Sequence, residues 1–150
     1  MPYDHPDAAA LVDALFHDLN ERYGAEEDDG EGYLGEVTPE KVAPPDGVFL
    51  VAYLDGAPVA CGGIKRWSGT TAEVKRMYTA PAGRRRGAAR AVLRELEASA
   101  RTLGYTAVRL ETGDEQPEAL RLYESAGYGR ITPYGRYRDD PRSKCFEKAL

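Results

Sequence analysis

Between residues 71 and 125 the sequence alternates between strand-like and helix-like segments, and this alternation constrains the fold more than any other feature. Thr71–Thr79 is rich in β-forming residues and is stopped by Pro81, and Gly87–Leu103 carries an apolar stripe with the period of a helix. Thr106–Thr112 then has the pattern of a short strand, and Pro117–Ser125 that of a short helix with proline in its first turn. Strands joined through a helix lie parallel, so the sequence predicts a parallel pair within an α/β domain.

The N-terminal region predicts a helix followed by an irregular segment. Apolar residues recur at helical spacing over Asp7–Tyr23, and Gly24 ends that pattern. From Ala25 to Asp46 the chain is acidic and rich in glycine and proline, which is typical of a long loop. This loop is either a lid on the substrate side or a plain surface connection.

Further strands are predicted on both sides of the central alternation. Val48–Leu54 and Ala57–Trp67 form a hairpin around the turn dipeptide Asp55-Gly56. Tyr128–Thr132 and Ser143–Leu150 are the last two strands. We expect Ser143–Leu150 at an edge of the sheet, where it would support a homodimer; the chain is a monomer or a homodimer.

Charge and composition restrict the functions that are open to the chain. The net charge of −5 conceals an asymmetry, because residues 1–50 hold 13 acids and 2 bases whereas residues 51–150 hold 12 acids and 18 bases. A chain that is acidic overall is a poor partner for nucleic acid, but the basic part suits a small phosphorylated ligand. No apolar run reaches the ~18 residues of a membrane span, and no secretory leader is visible, so we expect a cytoplasmic protein without membrane partners.

The metal-binding and nucleophilic residue types form no recognisable site. Cys61 and Cys145 lie far apart without metal-ligand spacing, and they are expected to be reduced thiols in strands. His5 and His17 stand alone, and His17 is expected at the surface. The sequence therefore predicts no metal site.

An arginine-rich hexapeptide, Arg84-Arg85-Arg86-Gly87-Ala88-Ala89, lies between a predicted strand and a predicted helix. The first turn of a helix presents unpaired N–H groups and the positive end of its dipole, which together attract an anion. Glycine at the bend and small alanines after it allow a diphosphate to approach the backbone, and the arginines add forked donors. The sequence predicts a diphosphate site here, although alone the hexapeptide is only moderately specific.

In its wider context the hexapeptide resembles the motif Q/R-x-x-G-x-G/A of the GCN5-related N-acetyltransferases (GNAT family). The preceding segment 72–78 and the later segment 119–128 are similar to the neighbouring motifs of that family in order and spacing. The resemblance implies a single GNAT domain over residues 1–150, with a mixed, mostly antiparallel sheet of six to seven strands, a splayed parallel pair and flanking helices. It also implies acetyl-CoA as the co-substrate. Two positions depart from the usual pattern: Ala89 replaces a common glycine, and Gln116 a common asparagine.

The same resemblance assigns residues to the CoA arm and to the leaving group. It implies a bulged, splayed strand whose main chain at Met77, Tyr78 and Thr79 binds pantetheine, with the Met77 N–H facing the thioester carbonyl. Ala119 and Gln116 would lie beside the same arm. Tyr123 is implied as the general acid, since a phenol stays protonated at neutral pH and can donate to a departing thiolate. The alternative interpretation is that Tyr123 is an ordinary tyrosine of the core without a catalytic role.

Glu73 is the leading candidate for the general base. It stands at the position where the histone-acetylating branch of the GNAT family, which the chain resembles, has its catalytic glutamate. A carboxylate there would attract and deprotonate an amine that arrives mostly protonated, directly or through water. The rival interpretation is that Glu73 pairs with Lys75 or Arg66 on the sheet. Glu111 is a second acid, expected in the substrate pocket or in the sheet rather than in proton transfer.

The acceptor is predicted to be a primary amine on a small molecule. Two alternatives remain open. In the first, the chain is an enzyme that acetylates a protein lysine or N-terminus; in the second, it is a regulatory module that binds CoA without catalysing a reaction. The aromatic segment 134–141, together with Tyr33 and Trp67, either lines the acceptor pocket or belongs to the surface.

Overall fold

A computed structural model of the chain describes residues 1–23 and 37–150. Within them lie helices α1 (Pro6–Tyr23), α2 (Ala88–Thr102) and α3 (Pro117–Ser125), and strands β1 (Val48–Leu54), β2 (Ala57–Ser68), β3 (Thr71–Thr79), β4 (Ala107–Gly113), β5 (Gly129–Ile131) and β6 (Ser143–Ala149). These bounds differ from the predicted ones by at most two residues at either end. Gly24, most of the predicted acidic loop, and Tyr33 lie outside the described residues.

The strands form one mixed sheet in the order β1-β2-β3-β4-β6-β5. Every neighbouring pair is antiparallel except β3 and β4, which are parallel, as the strand and helix alternation predicts. The predicted edge position of Ser143–Leu150 is wrong, because the short strand β5 pairs along the outer side of β6, from Gly129↔Glu147 to Ile131↔Cys145. The three-residue strand β5 therefore forms that edge.

The first hairpin shows how local sequence sets the register of the sheet. Asp55 and Gly56 both have positive φ, at 51° and 82°. This is the geometry of a type I′ turn, whose twist matches that of the strands on either side. The turn fixes the pairing of Leu54 with Ala57 and of Tyr53 with Pro58.

Helices cover both faces of the sheet. α2 and α3 pack over one face with a core that includes Leu96 and Phe146, and α1 packs over the other face against Phe49. Since side chains alternate along a strand, Ala72 and Val74 of β3 enter the α2 core and the intervening Glu73 points to the opposite face. The alternation thus places the candidate base on the side of α1.

Leu96 offers a test of this packing. It is fully buried at the centre of α2, so Leu96→Ala is expected to lower the free energy of unfolding by about 2–5 kcal/mol, measured by urea denaturation. Arg94→Ala, on the exposed side of the same helix, is the control and should change it by less than about 0.5 kcal/mol. Equal losses for the two variants would contradict the assigned core.

Candidate active site

The candidate site is a groove opened by the separation of the two parallel strands. β3 and β4 pair at three positions only, the last of which is Glu73↔Arg109. β4 remains paired with β6 along its whole length, so the separation leaves one edge of β3 without a strand neighbour in the described part of the chain. The groove has a volume of about 800 Å³ and is bounded by residues of all three helices.

A bulge in β3 shapes the wall of this groove. Arg76 and Met77 stand opposite the single residue Gly62 of β2, and Arg76 adopts a positive φ of 59°. A Cβ at Gly62 would lie 2.4 Å from the Met77 sulfur, so the glycine makes room for that side chain. Beyond the bulge, Met77, Tyr78 and Thr79 line the groove, where their uncovered backbone can bind an extended amide as another strand would.

The N-terminus of α2 forms one end of the groove. Gly87 has a φ of 75°, and no side chain caps it. A Cβ at Gly87 would meet no atom within 4 Å, so the space in front of the first-turn N–H groups is open. Ala88, Ala89, Arg84 and Arg85 also line the groove. The arrangement presents backbone donors and guanidinium groups to an anion.

Arg86 does not join the other residues of the hexapeptide. Its side chain is exposed and lies outside the lining of the groove, and its N–H donates to the Gly83 carbonyl at 3.3 Å. The backbone bond belongs to the turn that leads into α2. Cofactor binding by the Arg86 side chain therefore stays a prediction.

Two arginines that sequence reasoning missed add to the positive charge of this end. Arg90 and Arg121 line the groove, and Arg90 donates to the Ser125 hydroxyl oxygen at 2.5 Å, which ties the start of α2 to the end of α3. Arg90 lies three residues after Gly87 on a helix, so its spacing could have indicated the same face. Arg121 lies two residues after Ala119. Residues at that spacing do not share a helix face, so the sequence does not indicate that Arg121 lines the groove.

Contacts between α1 and the start of α3 close another side of the groove. Arg22 forms ion pairs with Asp18 at 3.1 Å and with Glu118 at 2.5 Å. The Tyr23 hydroxyl accepts from the Glu115 N–H at 3.0 Å and from the Gln116 side chain at 3.4 Å. We call these six residues the clamp. It joins α1 to the helix that carries Ala119 and Tyr123.

Tyr123 and Ala119 lie together on α3 and line the groove. The Tyr123 ring is buried, at 4% exposure, with its edge against neighbouring aromatic rings. Burial raises the pKa of the Tyr123 phenol above its ordinary value of 10.0, because the charged form would lose its solvation. The phenol therefore stays protonated through the neutral range.

Glu73 is buried and lies outside the lining of the groove. Its Oε2 accepts a hydrogen bond from the Tyr134 hydroxyl at 2.8 Å. Its Oε1 lies 3.6 Å from the Lys65 Nζ and 3.8 Å from the Lys75 Nζ. The alternative pairing with Lys75 is thus present, whereas Arg66 pairs with Asp46. Sequence reasoning missed Lys65 and the bond from Tyr134.

Another part of the groove carries acidic, aromatic and basic side chains. Glu111, Asp18 and Tyr137 line it, and Lys75 reaches it from β3. Glu111 thus lies in the lining of the groove, and its place in a substrate pocket stays a prediction. The predicted aromatic segment is divided: Tyr137 lines the groove, while Tyr134 covers Glu73.

The remaining candidates are structural or lie at the surface. Cys61 and Cys145 are buried and unbridged, and desolvation raises the pKa of the Cys61 thiol to about 12. His17 is exposed beside Glu21 on α1. Over residues 1–23 and 37–150, no group of three or more metal-ligating side chains is found. No helix in the same residues is long and apolar enough to cross a membrane.

A splayed parallel pair, a bulged strand and a basic helix N-terminus beside it are the features that the resemblance to the GNAT family implies. The sequence matches the model of the Acetyltransferase (GNAT) family over residues 12–128. The chain belongs to that family, which confirms the recognition made from the motifs, the fold class and the class of enzyme.

Individual relatives agree with this assignment. The chain is 38% identical over 128 residues to an IAA acetyltransferase of Azospirillum brasilense, with 79% of this chain and 84% of the relative covered. A GNAT acetyltransferase of Staphylococcus aureus superposes with a TM-score of 0.81 at 16% identity, over 100% of this chain and 97% of the other. The PaiA N-acetyltransferase of Thermoplasma acidophilum, solved in complex with coenzyme A, gives 0.69 at 18% identity over 96% and 93%. The two solved structures establish the likeness of fold.

Proposed function

We propose that the chain is a single-domain N-acetyltransferase that uses acetyl-CoA to acetylate a primary amine on a small molecule. One observation supports this most strongly. A single groove joins the open N-terminus of α2, the uncovered edge of β3 and the buried phenol of Tyr123. Backbone donors that suit an anion, a strand edge that suits an extended amide and a phenol thus line one groove, as binding of a CoA thioester requires.

The residues present fit acetyl-CoA as the acetyl donor. The space in front of Gly87 is open, and Arg84, Arg85 and Arg90 line the same groove. Such a donor set suits a diphosphate. Main-chain groups of Met77, Tyr78 and Thr79 would hold the pantetheine arm, with Gln116 and Ala119 on the opposite wall. Arg86 would contribute charge from outside the groove.

Acetyl-CoA, when bound, supplies a thioester whose acetyl group passes to the amine. The Met77 N–H would stabilise the oxyanion that develops on the carbonyl. Glu73 would accept the proton of the amine, through water because the carboxylate is buried beside the groove. Tyr123 would donate to the departing sulfur as general acid. Met77, Glu73 and Tyr123 are the catalytic residues of this proposal.

The boundaries of the groove favour a small acceptor. Arg22 and Tyr23 join α1 to the start of α3 through the clamp, which borders the groove between those helices. Tyr134 and Trp67, whose ring centroids lie 4.7 Å apart, cover the sheet face next to Glu73. A protein substrate would need a broader opening to present a lysine side chain.

Gly87 provides a test of the diphosphate site. Gly87→Ala is expected to weaken acetyl-CoA binding about 10- to 100-fold in a calorimetric titration, because the methyl group intrudes where charge-assisted bonds to the backbone form. Gly104→Ala is the matched control. Gly104 lies at the other end of α2, also has a positive φ, at 95°, and has equally open space around its Cβ position. Equal affinities for the two variants would contradict the site.

The proposed function is tested by following CoA release over a panel of small primary amines and of peptides that carry lysine or a free N-terminus. The proposal predicts release with at least one small amine and a much lower kcat/KM with every peptide. Preference for a peptide would indicate a protein acetyltransferase. Tight binding of acetyl-CoA without release from any acceptor would indicate a non-catalytic module.

A further inference from the structure

Several neighbouring groups hold the Tyr134 side chain next to Glu73, at the point where β3 and β4 separate. It lies in the connection between β5 and β6, and its ring packs edge-on against Trp67. The Arg109 guanidinium lies 4.6 Å from the Tyr134 ring centroid and 5.7 Å from that of Trp67. Arg109 is fixed in turn by two hydrogen bonds to Glu147 Oε1, at 3.2 and 3.0 Å. These contacts give the Tyr134 hydroxyl a defined direction.

That hydroxyl points at the candidate base. It donates to Glu73 Oε2 at 2.8 Å, while the other carboxylate oxygen faces Lys65 and Lys75. Glu73 and Arg109 form the last pair of the parallel strands, so the carboxylate sits where the groove begins to open. Its orientation is fixed by donors from β2, from β3 and from the β5–β6 connection.

We propose that Tyr134 is a positioning residue of the acetyl transfer, whose hydroxyl holds the Glu73 carboxylate in the orientation that accepts the proton of the amine. This inference rests on the proposed function. Nothing in the sequence motifs assigns Tyr134 a role, since it lies in an irregular connection sixty-one residues from Glu73. A role of this kind predicts that Tyr134 acts on catalysis only through Glu73.

The groups around Glu73 determine how the pH dependence should change. Lys65 on β2, Lys75 on β3 and Arg109 on β4 carry positive charge, and Glu111 on β4 and the Cys145 thiol on β6 complete the surroundings. All of these remain when only a hydroxyl is removed. A phenol that donates to a carboxylate favours the ionised form, so loss of the hydroxyl moves the acid limb of the kcat/KM profile to higher pH.

The experiment compares Tyr134→Phe with Tyr128→Phe in the active enzyme. Tyr128 is a close match, because its hydroxyl donates to buried Glu97 at 2.8 Å while Lys148 lies 3.0 Å from the other oxygen of that carboxylate. We expect Tyr134→Phe to lower kcat roughly tenfold, with the KM for acetyl-CoA unchanged and the acid limb shifted upward. Tyr128→Phe should lower the melting temperature similarly and leave the pH profile in place.

A double-mutant cycle separates positioning from general damage. In a Glu73→Gln background, adding Tyr134→Phe should change kcat by less than about twofold, because the group that it positions is already neutral. Trp67→Leu, which loosens the Tyr134 ring at a partly exposed position, should shift the acid limb in the same direction by a smaller amount.

The outcomes distinguish this inference from the proposed function. If the wild-type protein acetylates an amine and Tyr134→Phe matches it in rate and pH profile, the positioning role is wrong and the acetyltransferase stands. If Tyr134→Phe also lowers kcat tenfold in the Glu73→Gln background, the positioning role is wrong too, because Tyr134 would then act on catalysis through a group other than Glu73. If the wild-type protein releases CoA with no amine, the proposed function fails and the positioning role fails with it.

Discussion

Replacing Tyr123 with phenylalanine is expected to lower kcat by about 10²–10⁴-fold, the range that a positioned general acid contributes. Phenylalanine fills the same volume, so the packing of the ring against Tyr128 and Phe146 is retained. The KM for acetyl-CoA should stay within about threefold, because the hydroxyl acts on the leaving sulfur as charge develops there rather than on the bound ground state.

The physical basis of this expectation is the burial of the phenol. Desolvation raises the pKa of Tyr123, so the hydroxyl is protonated when the thioester binds and can donate to the sulfur as negative charge develops on it. Tyr105→Phe is the control: Tyr105 belongs to the same core, but its hydroxyl donates to the Asp46 carbonyl. Wild-type turnover by Tyr123→Phe under chemistry-limited conditions would reduce Tyr123 to an ordinary core tyrosine.

Replacing Glu73 with glutamine is expected to lower kcat/KM at pH 7 by about 10²-fold or more and to replace the acid limb of its pH profile with the rise that follows deprotonation of the amine itself. Glutamine keeps the shape of the side chain and can still accept a hydrogen bond from Tyr134, but it cannot take a proton from the amine. The rate should recover partly at high pH, where more of the acceptor amine is already neutral.

Glu111 is the informative comparison, since its carboxylate lines the groove directly whereas that of Glu73 is buried beside it. Glu111→Gln should raise the KM for the amine and preserve the acid limb, as expected of a residue that attracts the acceptor. The reverse result, a lost limb in Glu111→Gln and an intact one in Glu73→Gln, would transfer the role of base to Glu111.

Much of the fold could be predicted because each element carries a local signal. The apolar period of α2, the turn dipeptide Asp55-Gly56 and the proline at the start of α3 depend on neighbours within a few residues. The phosphate end of the groove was predictable for the same reason. Arg84, Arg85, Ala88 and Ala89 belong to one continuous hexapeptide at the start of a helix, whereas Arg90 and Arg121 lie outside it.

The features that escaped prediction depend on contacts between distant segments. Arg22 meets Glu118 across 96 positions of the chain, and Tyr134 meets Glu73 across 61, so no spacing rule relates them. The position of β6 inside the sheet depends on β5, a strand of only three residues whose pairing carries little pattern of its own. Sequence motifs located the groove, and tertiary contacts fixed how it is enclosed.

The most direct test is a calorimetric titration of the wild-type protein with acetyl-CoA and, separately, with S-acetyl-pantetheine, which lacks the diphosphate and nucleotide. Backbone donors at Gly87 and nearby guanidinium groups predict one saturable site for acetyl-CoA and binding of the shorter thioester at least about 100-fold weaker. Absence of saturable binding of acetyl-CoA, or equal affinity for the two thioesters, would contradict the account at its foundation.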